Sequence, residues 1–359
     1  MIDLDSPVRE ALMQEGLELA GIASAGESVP EEERGRVHQW LREGRHGTMH
    51  WLERYETLRY NPAELLPGCQ SIVFVALNYY QKYHQKPETA ADDPSHGQYG
   101  RIARYAWGRD YHKELGKRIK RVARRLEERF PGERFRAWTD ATPLAERYYG
   151  ERAGIGFTGR NTLLISGRCG SWFVAGEILT SLALNPSEPA GGRHGNCPSS
   201  CKRCLDVCPT GALLEPYRLD AKRCIAYLTI EHEGIIPERL RPLMGNWIFG
   251  CDLCQEVCPL NVRARVTDVA GFLRPIAGDR RLLKEVLSIR NDQEFRSVFA
   301  GSPLMRARRS RLVRNACIAA ANRGARELLP ELRRCADDDD EVVAIHGHWA
   351  LEKLEAADG

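Results

Sequence analysis

The chain has 359 residues, enough for two or three domains with a substantial core. Its 52 Lys and Arg against 49 Asp and Glu leave a formal net charge of only +3, which excludes a polycation, so a nucleic-acid surface requires local segregation of charge. No apolar run is long enough to span a bilayer. The N-terminus has no positive n-region, apolar h-region or twin-arginine signal, so a reducing cytoplasm without a membrane partner is expected.

Residues 7–20 alternate apolar and charged positions at helical spacing, and 20–25 reads as a short strand. Residues 30–51 are predicted helical, and Asn61-Pro62 breaks the chain. The continuous apolar, β-branched run 71–77 fits a buried strand. Residues 84–100, rich in His, Pro, Asp and Gly, read as an exposed loop. Over 113–130 a helix places Leu115, Ile119, Val122 and Leu126 on one face and basic residues on much of the rest; Pro131-Gly132 ends it. Strands follow at 135–138, 162–165 and 172–179, with a helix over 143–152. The mixture predicts an α+β fold whose first domain is of α/β type. The Pro/Gly/Asn-rich segment 185–196 marks a boundary, and a cysteine-rich module runs on to about residue 262. Three short helices close the chain, at 311–323, 326–335 and 341–354, as an all-α unit of HEAT-like character that must dock on the main body to bury its apolar faces. The expected division is 1–190, 191–265 and 266–359.

The most specific signal is the cysteine spacing. One run reads Cys197-Pro-Ser-Ser-Cys201-Lys-Arg-Cys204-Leu-Asp-Val-Cys208-Pro209 and another Cys251-Asp-Leu-Cys254-Gln-Glu-Val-Cys258-Pro259, with Cys224 between them. In paired [4Fe–4S] proteins the cysteine before proline ligates the other cluster. That exchange gives one cluster Cys197, Cys201, Cys204 and Cys258, and the second Cys208, Cys224, Cys251 and Cys254. The module therefore reads as ferredoxin-like with two [4Fe–4S] clusters, against two all-cysteine zinc sites as the alternative. It departs from the usual pattern twice: three residues separate Cys197 from Cys201, and Cys224 stands in for a missing first cysteine in the second run. Cys69, Cys317 and Cys335 read as buried structural thiols.

Asp140 ends a predicted strand and precedes a helix, where either a functional carboxylate or a plain N-cap belongs. Gly154, Gly156 and Gly159 allow close backbone approach, but the order helix, glycines, strand is wrong for a dinucleotide fingerprint. Asp110-Tyr-His112 suggests a cobalamin-ligand motif, yet Gly116 is one place too far along for it. Arg306, Arg308, Arg309, Arg311 and Arg314 form a basic cluster that hints at phosphate contact.

Taken together, Leu65-Leu-Pro-Gly68, Ala103-Arg-Tyr-Ala-Trp-Gly-Arg-Asp-Tyr-His112, the 140–165 segment, Cys204-Leu-Asp-Val-Cys-Pro-Thr-Gly-Ala212, Arg223-Cys-Ile-Ala-Tyr-Leu-Thr-Ile-Glu-His232 and Ile248-Phe-Gly-Cys-Asp-Leu-Cys-Gln-Glu-Val-Cys-Pro259 resemble the epoxyqueuosine reductases, over nearly the whole chain. The resemblance implies base-off cob(II)alamin in the first domain, beside two [4Fe–4S] clusters fed by an external one-electron donor. Arg59, Asp140, Asn161, Thr162, Ala226, Cys251 and Asp252 would contact the cobalamin, and Asp140 would act as general acid. The substrate would be epoxyqueuosine at the wobble position of tRNAs with a GUN anticodon (Tyr, His, Asn, Asp), and the protein a monomer. A reductive dehalogenase-like enzyme shares the cofactors but is typically exported and lacks the helical tail. A simple ferredoxin leaves the first half of the chain without a task.

Overall fold

The computed structural model describes residues 6–83, 98–140, 143–188 and 196–356. A helix Ser6–Gln14 leads, through Gly16 at φ 67°, into strand β1 (Leu19–Ser24). That left-handed glycine ends the helix well short of residue 20. The polar stretch predicted as one helix over 30–51 is broken for the same reason: the helix Glu31–Arg42 stops before Gly44 (φ 59°) and Gly47 (φ 65°), and a new turn forms at Trp51–Arg54.

Strand β2 (Ser71–Asn78) is the centre of the first sheet. Strand β3 (Tyr99–Ile102) belongs elsewhere, and begins inside the segment read as a loop, most of which lies outside the described residues. After the helix Tyr111–Arg129 come β4 (Phe135–Trp138), the helix Glu146–Arg152, a hairpin of β5 (Phe157–Thr158) and β6 (Leu164–Ile165), and β7 (Phe173–Thr180). The sheet order is β1-β2-β7-β4 and every pairing is antiparallel. The α+β expectation therefore describes the domain and its α/β-type qualification does not. The unbroken apolar run of β2 arises because helices cover both faces, the condition that usually makes parallel strands apolar. Val73, Val75 and Leu77 pack with the helices Ser6–Gln14 and Tyr111–Arg129, while Ile72, Phe74 and Ala76 pack with Tyr149 of the opposite helix.

The cysteine-rich segment adds a hairpin of β8 (Leu213–Glu215) and β9 (Arg218–Leu219), the helix Ile225–Ile230 and strand β10 (Trp247–Phe249). Strand β11 (Arg280–Leu282) follows it. β3 pairs parallel with β10 and antiparallel with β11, so one three-stranded sheet ties together early, middle and late parts of the chain. The last three long helices are Arg308–Asn322, Leu329–Ala336 and Glu341–Glu355. Their apolar faces share a core with Ile225, Leu228, Ile248 and Phe249 of the cysteine-rich segment.

That docking turns the basic cluster inward. Arg314, 0% exposed, donates to the carbonyls of Leu228, His232 and Gly234, and Asn315 to those of Thr229 and Ile248. Leu228 and Thr229 lie in the last turn of the helix Ile225–Ile230, whose carbonyls have no partner within it, and His232 and Gly234 lie in the irregular backbone beyond, so side chains of the helix Arg308–Asn322 satisfy them. Arg306 forks onto Glu231, Arg309 onto Asp338, and Arg311 onto the carbonyls of Ala307 and Arg306. Four of the five arginines thus bond within the fold, and Arg306 and Arg308 are the exposed ones. Among the described residues no helix is long and apolar enough to cross a membrane.

Candidate active site

Asp140 follows β4 in the left-handed region, at φ 49°, a strained setting for a non-glycine residue. The next helix begins at Glu146 with Ala145 at its N-cap, so Asp140 does not cap it. Its side chain is 59% exposed and its Oδ2 accepts the Tyr111 hydroxyl at 2.5 Å, with His112 Nε2 at 3.9 Å. Burial, followed by the Asp140 carboxylate, pushes the Tyr111 hydroxyl far above the usual phenol range, so it stays a donor. His112 is raised chiefly by its hydrogen bond to Asp110, whose Oδ1 lies 2.8 Å from Nδ1. Asp110 in turn caps the helix Tyr111–Arg129 by accepting the His112 amide at 3.0 Å. The Asp110-Tyr-His112 segment thus serves Asp140: the helix cap fixes the two side chains that flank the carboxylate.

Behind Asp140 lie two more carboxylates. Glu177, on β7 opposite Trp138, is 0% exposed and neither of its oxygens has a hydrogen-bond donor. Glu146, half-buried, faces it, with Arg147 and Arg59 as neighbouring cations.

The other expected contacts come from four separate segments of the chain. Arg59 is half-buried, its carbonyl accepts the Ala145 amide at 2.9 Å, and its buried Nε has no partner. Asn161 is buried with Nδ2 unpartnered. Thr162 stands at φ 67°, its carbonyl held by Arg147 Nη1 at 2.6 Å. Buried donors without acceptors are rare in folded proteins, and two fall on positions expected to contact a ligand. Ala226 lies on the helix Ile225–Ile230. Asp252, 1% exposed, accepts the Arg104 amide at 2.7 Å, and burial lifts its carboxyl to about 6. The Arg104 guanidinium is 3.8 Å from Asp252 and sits among the rings of Tyr80, Tyr83, Trp107 and Trp172 at 4.4–5.2 Å. Nothing in the spacing marked Arg104, because its partners come from three distant segments.

All twelve cysteines are free thiols. Cys197, Cys201, Cys204 and Cys258 line one pocket together with Arg160 and Asn161. Mutual charge effects sort the eight thiols the same way. Cys197 and Cys201 act on Cys204 and Cys258, while Cys208 acts on Cys224, and Cys224 on Cys251 and Cys254. Cys204 also acts on Cys254, across the two sets, which places the sets side by side. Burial raises the thiols of Cys204, Cys224, Cys251, Cys254 and Cys258, a penalty that a bound cation would reverse. Gly250, at φ 67°, admits the turn into Cys251; a Cβ there would lie 2.4 Å from that of Ala103. The Arg160 amide donates to Cys197 Sγ at 3.4 Å, and its guanidinium binds the carbonyls of Cys201 at 2.7 Å and Ser199 at 2.5 Å.

Residues 196–261 match the family described as a 4Fe-4S double cluster binding domain, and residues 59–141 match epoxyqueuosine reductase QueG. The epoxyqueuosine reductase of Xanthomonas campestris pv. campestris is 38% identical over 351 residues, covering 97% of this chain and 96% of that protein. That of Escherichia coli K12 is 35% identical over 356 residues, covering 98% and 90%. A crystal structure of epoxyqueuosine reductase with a tRNA-Tyr epoxyqueuosine-modified stem loop is similar at a TM-score of 0.86 and 29% identity, over 97% of this chain and 89% of that one. The chain belongs to the epoxyqueuosine reductase family.

Proposed function

We propose that the protein reduces epoxyqueuosine to queuosine at the wobble position of tRNA, the last step of queuosine formation. The observation that carries the reading is the pairing of an exposed, strained carboxylate, Asp140, with two adjacent sets of four thiols in one chain. The substrates would be tRNAs with a GUN anticodon, for Tyr, His, Asn and Asp, met by a cytoplasmic monomer that draws single electrons from an external donor. Residues 1–190 would hold the cofactor, 191–265 conduct the electrons, and 266–359 contact the tRNA as a HEAT-like unit.

Cys197, Cys201, Cys204 and Cys258 would hold one [4Fe–4S] cluster, and Cys208, Cys224, Cys251 and Cys254 the other. The unpartnered donors of Arg59 and Asn161 suit the amide-fringed rim of base-off cob(II)alamin, with Thr162, Ala226, Cys251 and Asp252 at its margin. Bound there, cobalamin would supply a strongly reducing centre at the epoxide, and the clusters its electrons. Asp140 would do the acid chemistry. Tyr111 occupies Oδ2, which leaves Oδ1 to carry the proton that meets the departing epoxide oxygen.

The test is an anaerobic assay of reconstituted protein with cobalamin, a chemical reductant and epoxyqueuosine-containing tRNA, following the nucleoside by mass. Conversion to queuosine is expected. A loaded, reduced protein that leaves the epoxide intact would sink the reading.

A further inference from the structure

Removing the epoxide oxygen as water consumes two electrons and two protons, whereas Asp140 can carry one proton at a time. The second must come from elsewhere. Glu177 projects from the sheet face that packs against the helix Glu146–Arg152, shut off from solvent, with no donor on either oxygen. A charge left so bare is strongly disfavoured, so the carboxyl keeps a proton. Glu146 is the group able to share it. The charged groups around the pair are Asp140, Arg59 and Arg147, with the Tyr111 hydroxyl beyond them. Burial, then repulsion from Asp140, holds Glu146 well above the usual carboxylate range; burial, then Glu146, does the same for Glu177.

We infer that Glu146 and Glu177 hold one shared proton at neutral pH and deliver it through Glu146 to Asp140, reloading the acid within a turnover. This rests on the reduction proposed above. Asp140 gives its proton to the epoxide oxygen as the first C–O bond breaks and takes the pair's proton from Glu146. Asp140 gives that proton as the second C–O bond breaks and water leaves. The external donor has then supplied two electrons, and solvent returns two protons, one to exposed Asp140 and one to half-buried Glu146. Glu146 and Glu177 are thus positioning residues, and Asp140 alone meets the substrate.

Glu146→Gln and Glu177→Gln test the relay in the full chain with clusters and cobalamin loaded. Glu146→Gln is expected to lower kcat on the order of 10–100-fold at unchanged KM for tRNA, with partial rescue by small weak acids added to the buffer. In Glu177→Gln the carboxyl hydrogen bond that lowers Glu146 is gone while burial and Asp140 still raise it, so the alkaline fall of kcat moves to higher pH. Infrared titration of the purified protein should show a protonated-carboxyl band at pH 7 that the double variant lacks. Unchanged pH profiles in both variants, a loss that no buffer acid rescues, or a wild-type protein without that band would overturn the relay. The infrared arm needs no turnover, so it stands apart from a failure of the wild type to reduce epoxyqueuosine.

Discussion

The thiol module and the acid site solve opposite problems of burial. The eight thiols come mostly from two short runs, and backbone amides reach some of their sulfurs. The Ala212 amide donates to Cys208 Sγ at 3.3 Å and the Arg160 amide to Cys197 Sγ. The acid site draws on strands and helices from residue 59 to residue 177, and leaves Arg59 Nε and both Glu177 oxygens without partners. One region is complete once its metal is in place. The other keeps unmet polar groups that only a ligand or a held proton can satisfy. A motif read at short range can find the first kind of site, and the second kind becomes visible only when the fold assembles it.

The largest effects should separate the two regions cleanly. Cys254→Ala is expected to abolish turnover and to lower bound iron from about eight to about four per chain, while the tRNA still binds. Iron analysis together with a tRNA shift assay checks it, and full iron content would remove Cys254 from the ligand set. Asp140→Asn should leave iron content untouched and cut turnover by roughly 10²–10⁴-fold, the usual share of a general acid. Turnover within a few fold of wild type would show that water or another group protonates the oxygen.

The contrast also explains what could be read in advance. The helix over 113–130 and the three terminal helices are plain from periodicity, because each has an apolar face with a single destination, and the strand over 71–77 is plain from its unbroken apolar run. Cys197, Cys201, Cys204 and Cys258 could be grouped from the ligand-exchange rule alone, and the structure brings them to one pocket. The all-antiparallel pairing was hidden, since a strand covered on both faces shows the same unbroken run in either direction. No motif marks Glu177, and its register opposite Trp138 is what brings it beside the strand that ends at Asp140. The arginines from 306 to 314 divide for a related reason: charge in a sequence does not reveal which backbone carbonyls lack partners, so Arg311 and Arg314 are drawn inward while Arg306 and Arg308 stay exposed.

A smaller effect probes how the helical tail is joined to the module. His346 is fully buried, its Nε2 accepting the Ile236 amide at 3.2 Å and its Nδ1 lying 2.6 Å from the Val342 carbonyl. Burial depresses it from 6.5 to about 3, so the folded state holds it neutral. Below pH 6.5 the unfolded chain binds a proton that the native state refuses. Its contribution is therefore complete above pH 6.5 and is lost as pH falls, at about 1.4 kcal/mol per pH unit at most. Urea midpoints between pH 7 and 5.5 should fall accordingly, and His346→Gln should flatten the slope. An unaltered slope would place the acid sensitivity elsewhere.

The smallest effect bears on the irregular spacing between Cys197 and Cys201. The extra residue is absorbed by a turn, in which the Cys201 amide donates to the Pro198 carbonyl at 3.0 Å. The Ser199 and Cys201 carbonyls then face away from their own segment and are caught by the Arg160 guanidinium. Because Arg160 lies between the short strands β5 and β6, this latch fastens the thiol module to the wall that carries Asn161. Each charge-assisted bond to a carbonyl is worth ~1.5–3 kcal/mol, enough to bias a five-residue loop but not to hold a cluster alone. Arg160→Gln should therefore keep both clusters and lose iron several-fold faster to a chelator. About half of the iron should leave at the faster rate, since the set containing Cys208 and Cys224 is not latched in this way. Equal release from both sets, or none beyond wild type, would show that the turn holds itself and that Arg160 serves only the cofactor wall.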